Sequence, residues 1–118
     1  MTWNREVKAI EERRQLAEGL GGAEAVNRQH EAGRLTARER IGLLVDEESW
    51  RELGTMTGTA NYDENGQLVT VRPANTIVGT GRINGRRVAV EADDYTIRGG
   101  STEATISEKW EFINRYAL

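Results

Sequence analysis

Asn84-Gly85 stands between two runs that carry β-branched residues, Thr76–Ile83 before it and Arg86–Ala92 after it. A two-residue hairpin loop asks for positive φ at both positions, and Asn-Gly meets that demand at low steric cost. The second half of the chain is therefore expected to fold around an antiparallel pair, with Val78, Ile83, Val88 and Val90 among its apolar residues. Asn65-Gly66 is a second signal of the same type, between the Thr-rich run Thr55–Tyr62 and the run Leu68–Val71. Pro73 follows that run, and the missing N–H of proline restricts it to an edge strand or a loop.

Before residue 54 the periodicity is helical. Trp3, Val7, Ile10, Ala17 and Leu20 recur near every 3.6 residues with charges between them, which predicts an amphipathic helix over 3–18. Gly19, Gly21 and Gly22 stop it. A second helix is expected over 23–32, closed by Gly33, and a third over 37–45 carrying Ile41, Leu44 and Val45. Thr36-Ala37-Arg38-Glu39 opens the third as a capping box. In that motif the Thr36 hydroxyl accepts from the Glu39 amide, while the Glu39 carboxylate reaches back to the Thr36 amide. Asp46-Glu47-Glu48-Ser49 breaks the helix, and Trp50 and Leu53 follow as anchors onto a core.

After the hairpin, Asp93–Ile97 continues extended, Gly99-Gly100 turns the chain, and Ile106, Trp110, Ile113 and Ala117 mark a last helix over 102–117. Ser101 or Thr102 is its expected N-cap, with Glu103 at the positive end of the helix dipole. The apolar stripe runs to Leu118 without a terminator, the pattern of a helix cut rather than finished, and its apolar area predicts self-association. The chain as a whole reads as α+β.

Composition narrows the function classes. The 118 residues are 37% apolar and 30% charged, which suits one small soluble domain, or part of a larger one, with a thin supply of core. The net charge is −3, and residues 1–42 interleave eight Arg/Lys with seven Glu. That is the pattern of a solvated helix surface, not the one-sided basic patch that a nucleic acid requires, so no nucleic-acid partner is expected. The absence of cysteine rules out disulfides, thiolate metal sites and a Cys nucleophile. His30, the single histidine, cannot build a multi-histidine site, so no metal is expected. No apolar run approaches the ~20 residues that span a bilayer, and no signal-peptide core opens the chain. A cytoplasmic protein without membrane contact is the expectation.

The strand–Gly-Gly–helix junction at Asp94–Glu103 is the segment richest in chemistry. Glycines ahead of a helix leave backbone N–H groups accessible to a phosphate or a developing oxyanion. The competing reading is a tight β–α turn, which local pattern favours because glycine is the default turn residue. Gly79-Thr80-Gly81 is no phosphate loop: a strand follows it rather than a helix, and glycines in a strand mark a bulge or close packing. Asp93 and Asp94 point to opposite faces of a strand and do not converge, so capping of the glycine turn or exposure is expected of them. His30 reads as a surface histidine. Arg34, Arg38 and Arg40 are expected to pair with Glu31 and Glu39 on helix surfaces rather than to meet phosphate.

Taken in order, four stretches resemble the N-terminal part of the carboxyltransferase β-type subunits of propionyl-CoA carboxylase and related acyl-CoA carboxylases. They are Gln29-His30-Glu31-Ala32-Gly33-Arg34-Leu35-Thr36-Ala37-Arg38-Glu39-Arg40-Ile41, and Leu43–Leu53 with Trp50 where that family has Phe. The others are Val78-Gly79-Thr80-Gly81-Arg82-Ile83-Asn84-Gly85-Arg86 and Asp94-Tyr95-Thr96-Ile97-Arg98-Gly99-Gly100-Ser101. The resemblance implies a partial crotonase-like fold, with residues 1–53 a helical segment and 54–118 the start of the N-terminal carboxyltransferase domain. It implies transfer of a carboxylate from carboxybiotin, held on a separate carrier protein, to the α-carbon of a short acyl-CoA such as propionyl-CoA. The implied partners are the biotin carrier/carboxylase α subunit and further copies of the chain in a homo-oligomer, a hexamer of β-type subunits. It also implies that Gly99 and Gly100 present backbone N–H groups as an oxyanion or CoA contact.

Residues 61–75 follow no pattern of that family, and neither the second glycine-rich loop nor the second crotonase-like domain it needs is in this sequence. The expectation is thus part of an enzyme, inactive alone. The alternative is a non-catalytic assembly or scaffolding module derived from the family.

Overall fold

A computed structural model describes residues 2–118, the side chain of Glu103 excepted. The chain runs α1 (Asn4–Glu18), α2 (Ala23–Glu31), α3 (Ala37–Leu44), β1 (Arg51–Leu53), β2 (Gly58–Tyr62), β3 (Leu68–Pro73), β4 (Thr76–Ile83), β5 (Arg86–Asp93) and α4 (Ser107–Ala117). Two 3-10 turns, Arg98–Gly100 and Thr102–Ala104, lie between β5 and α4. The α+β expectation holds.

β4 is the centre of a three-stranded antiparallel sheet in the order β1-β4-β5. Its pairing with β5 runs from Thr76↔Asp93 to Ile83↔Arg86, and Asn84 and Gly85 take φ of 50° and 81°, as the loop chemistry requires. Alternation along β4 serves two layers at once. Ile77 joins Val90 from β5, Ile41 and Ala37 from α3, and Leu20 in one buried cluster. On that same face Gly79 and Gly81 carry no side chain, and the space is filled by the Trp50 ring and by Val45. Close packing is thus what these glycines do, as expected. The other face belongs to α4: Trp110 Nε1 donates to Thr76 Oγ1 at 3.2 Å, and Ile113 is buried there. Burying Ile41 or Ile77 contributes about 1.5–3 kcal/mol each.

Four expectations need correction. Trp3, Val7 and Ile10 are 67%, 61% and 46% exposed, so only the C-terminal part of the α1 stripe, Ala17 and Leu20, reaches the core. Periodicity identifies an apolar face but not whether anything covers it. Leu44 is exposed as well, and Val45 is the C-cap rather than part of α3.

The 63–67 connection between β2 and β3 is not a type I′ turn. Asp63 Oδ1 accepts from the Asn65 and Gln67 amides, both at 2.9 Å, and only Gly66, φ 74°, is left-handed. A carboxylate that satisfies two loop amides outweighs the preference of Asn-Gly for two positive φ values. These two strands form a separate ribbon that ends at Pro73.

The last helix begins at Ser107 with Ile106 at the N-cap position, not at Ser101 or Thr102. Thr105 and Ile106 are extended, and the Ser101 carbonyl is held by the Asn75 amide, which pulls that stretch away from the helix axis. The Glu103 side chain lies outside the described residues.

Candidate functional site

The turn between β5 and α4 is braced from three directions. Asp94 is buried, and its Oδ1 accepts from the Thr96 amide at 2.9 Å and from Thr96 Oγ1 at 2.6 Å. Thr96 Oγ1 in turn accepts from the Gly21 amide at 2.9 Å, which ties the α1–α2 junction to the turn. Gly21 must lack a side chain, because a Cβ there would run into the Thr96 carbonyl.

Asn75 is the third brace. It is 1% exposed, and its Nδ2 donates to the Ser101 carbonyl at 2.7 Å and to the Ile97 carbonyl at 3.3 Å. Its backbone carbonyl accepts from the Asp94 amide at 2.6 Å. One buried amide group thus holds both ends of the glycine turn.

Between those ends Arg98, Gly99 and Gly100 have φ of 47°, 60° and 72°. Three successive left-handed residues are affordable for the glycines and cost the arginine about 1–2 kcal/mol. The Gly100 amide donates to the Ile97 carbonyl at 3.0 Å and the Ser101 amide to the Arg98 carbonyl at 3.1 Å. Among the described residues, the Gly99 amide has no such partner. Of the two glycines singled out from the sequence, Gly99 therefore keeps a free donor and Gly100 does not.

Asp93 and Asp94 do diverge. Asp93 is exposed, with Oδ1 accepting from Thr76 Oγ1 at 3.4 Å, while Asp94 is buried with Oδ2 unpartnered among the described residues. The expected Arg–Glu pairing on helix surfaces is not what forms. Arg38 makes a two-pronged ion pair with Glu52 of β1, Arg34 lies over the Tyr95 ring, and Arg40 lines a cavity beside α3. Tertiary neighbours replaced the neighbours that sequence spacing suggested.

The exposed His30 bonds to the Glu39 carboxylate through Nε2 at 2.6 Å. That hydrogen bond chiefly holds Glu39 below the usual carboxylate range, against the opposing effect of desolvation and with further help from the His30 charge and from the Thr36 amide and hydroxyl. Lys109 of α4 is buried, and desolvation pushes its ammonium below the ordinary lysine range, partly offset by Glu52. Among the described residues no group of three or more His, Cys, Asp or Glu is placed to hold a metal ion. Nor is any described helix long and apolar enough to cross a membrane.

Sequence reasoning missed Asn75, Thr76 and Gly21. An asparagine before a strand reads as a turn residue, and its partners, 22 and 26 residues away, leave no local signal.

An α+β chain with a braced glycine turn between a strand and a helix defines the class. Residues 28–117 match the carboxyl transferase domain, and the chain belongs to that family. It is 39% identical over 103 residues to the propionyl-CoA carboxylase beta chain of Roseobacter denitrificans, and 41% identical over 105 residues to that of Cereibacter sphaeroides. Each match covers 87% of this chain but only 20% of the relative, so the chain spans about a fifth of the length of these proteins. Among solved structures, a hexameric transcarboxylase 12S with methylmalonyl-coenzyme A and methylmalonic acid bound superposes with a TM-score of 0.80 at 32% identity. That match covers 98% of this chain and 23% of the other, and it bears out the partial crotonase-like expectation.

Proposed function

We propose that these residues work as the N-terminal part of the carboxyltransferase subunit of a biotin-dependent acyl-CoA carboxylase, and that residues 54–118 begin its catalytic domain. The subunit would move a carboxylate from carboxybiotin, on its separate carrier, to the α-carbon of a short acyl-CoA such as propionyl-CoA. The observation that carries the reading is the family match from 28 to 117, which includes the glycine turn and its Asn75 and Asp94 braces. In this reading the helical segment 1–53 docks on the start of that domain, which Ile41 packed with Ile77 of the sheet supports.

In this reading Gly99 and Gly100 form the contact with the acyl-CoA. The Gly99 amide is the available donor, and the Gly100 amide serves by holding the turn. A backbone N–H held in place before substrate arrives needs no reorganisation to meet an anionic oxygen. The remainder of the active site lies in parts of the relatives that this chain does not span. A homo-oligomer, a biotin-carrier partner and a cytoplasmic setting belong to the same proposal. The hexameric state of the similar 12S protein and the exposed Trp3, Val7 and Ile10 support the first.

The test is calorimetric titration of the chain with propionyl-CoA, beside an assay with a carboxybiotin donor. Binding without turnover is the expected result. Failure to bind any acyl-CoA overturns the reading in favour of a non-catalytic assembly module.

A further inference from the structure

The end of the sheet farthest from the glycine turn carries an unbalanced charge. β4 pairs with β5 from Thr76↔Asp93, beside the turn, to Ile83↔Arg86 at the hairpin. Arg82 and Arg87 are direct partners in that register. Arg82 lies six residues beyond Thr76, about 20 Å along the strand. Directly opposite residues of an antiparallel pair share a face, with Cβ atoms about 5 Å apart, and two like charges there oppose folding. Arg51 of β1 pairs with Thr80, two residues before Arg82, so it joins the same face. The three arginines line one cavity of about 310 Å³, together with Thr80, Ser49 and Glu48.

None of the three has a carboxylate partner. Among the described residues the ion pairs are Arg14–Glu11, Arg28–Glu24, His30–Glu39 and Arg38–Glu52. Arg51 and Arg82 each give one N–H to a backbone carbonyl, of Trp50 and Gly85, both at 3.3 Å. The Arg87 guanidinium and the Thr80 hydroxyl have no hydrogen-bond partner among the described residues. Glu48, the one acid in the lining, is exposed and pairs with none of the arginines. A like-charge pair held in register by a hairpin and left without a counter-charge costs stability unless an anion fills the space between.

We propose that this cavity binds a small tetrahedral oxyanion, phosphate or sulfate, between Arg82 and Arg87, with Arg51 and the Thr80 hydroxyl completing its contacts. Two guanidinium forks so close together converge on one small ion. A monocarboxylate has one edge and satisfies one fork, whereas a tetrahedral dianion has an edge for each and the charge to balance both. The site is separate from the glycine turn and stands whether or not the chain acts on an acyl-CoA. The ligand assigned is the free ion. A phosphate carried by coenzyme A offers the same chemistry, and the experiment separates the two sources.

The test is nuclear magnetic resonance of the isotope-labelled chain, titrated at constant ionic strength with inorganic phosphate, sulfate, acetate or coenzyme A. Phosphate and sulfate should shift the amides of Arg51, Gly81, Arg82 and Arg87 to saturation and leave residues 94–101 unmoved. Acetate should not saturate. Arg82→Gln and Arg87→Gln should each weaken phosphate binding by about tenfold. Arg86→Gln removes the same charge from the opposite face of the strand and should leave binding unchanged. Without anion, Arg87→Gln should also raise the urea midpoint by relieving the like-charge pair, and saturating phosphate should remove that advantage.

No saturable shift at these amides, or equal loss of binding in Arg86→Gln, overturns the proposal. So does an Arg87→Gln midpoint at or below that of the parent without anion, since the pair then holds no repulsion for an anion to relieve. Coenzyme A that shifts the same amides at lower concentration than phosphate overturns it as well, by making the arginines a contact of that larger molecule. Coenzyme A that moves only other amides, or none, supports the free ion as the ligand.

Discussion

The Asp46 carboxylate caps the hairpin that Gly85 closes: Oδ2 accepts from the Gly85 amide at 2.7 Å and Oδ1 from the Asn84 amide at 2.9 Å. The Asp46 amide donates to the Arg82 carbonyl at 2.7 Å, so the residue just past the C-cap of the third helix also fixes the end of the sheet. Asp46→Ala should cost about 1.5 kcal/mol, the lower end for hydrogen bonds to a charged group because the site is half-buried. Urea unfolding followed by tryptophan fluorescence measures it. An unchanged midpoint would mean that water replaces the carboxylate without loss.

Asn75→Ala should cost about 1–3 kcal/mol, since the Ile97 and Ser101 carbonyls lose a buried donor. The more specific expectation is local. Amide exchange at residues 97–104 should quicken by more than the change in global stability explains, because one side chain holds both ends of that turn. Uniform quickening across the chain would show that Asn75 contributes to stability only.

Thr36→Ala removes the hydroxyl that accepts from the Glu39 amide at 3.2 Å. The cost should be about 1 kcal/mol, and Thr36→Ser should restore most of it. Thermal unfolding of the two variants beside the parent decides.

Lys109 gives the chain an alkaline signature. Its folded pKa is lowered by desolvation below the ordinary 10.5, so between the two values the unfolded chain binds more protons than the folded one. Stability contributed by this group therefore rises with pH across that window, and the penalty of the buried charge is fully present below it. Lys109→Met should raise the urea midpoint at pH 7, and the gain should shrink as pH approaches 10.5. A gain that stays constant with pH would assign the effect to packing instead.

The helices, the Asn84-Gly85 hairpin and the capping threonine were legible because each rests on residues close in sequence. The strand before Gly99-Gly100 was legible only as far as Asp93. Residues 94–97, expected to continue extended, turn instead, because the Ile97 amide donates to the Asp94 carbonyl and the Asp94 carboxylate takes the Thr96 amide. The fate of the apolar residues was less legible. Ile10 and Ile41 carry the same periodic signal, yet one is 46% exposed and the other 4%. The arginines were misread in the same way: Arg38 has Glu39 beside it in sequence, but its carboxylate is Glu52, fourteen residues on.

Backbone chemistry alone determined where this chain turns, because an Asn-Gly pair or a Thr-x-x-Glu box acts over a few residues and needs no distant partner. The tertiary structure alone decided which polar groups serve the site. Asn75 and Gly21 reach the turn at 94–101 from 22 and 75 residues away, a convergence that only the folded sheet and the α1–α2 junction provide. Burial then makes their hydrogen bonds obligatory, since a buried donor or acceptor without a partner costs more than the bond itself contributes. The same fold brings Arg28 and Arg34 to a cavity that Gly99 edges, a convergence of residues more than sixty positions apart that no local pattern encodes.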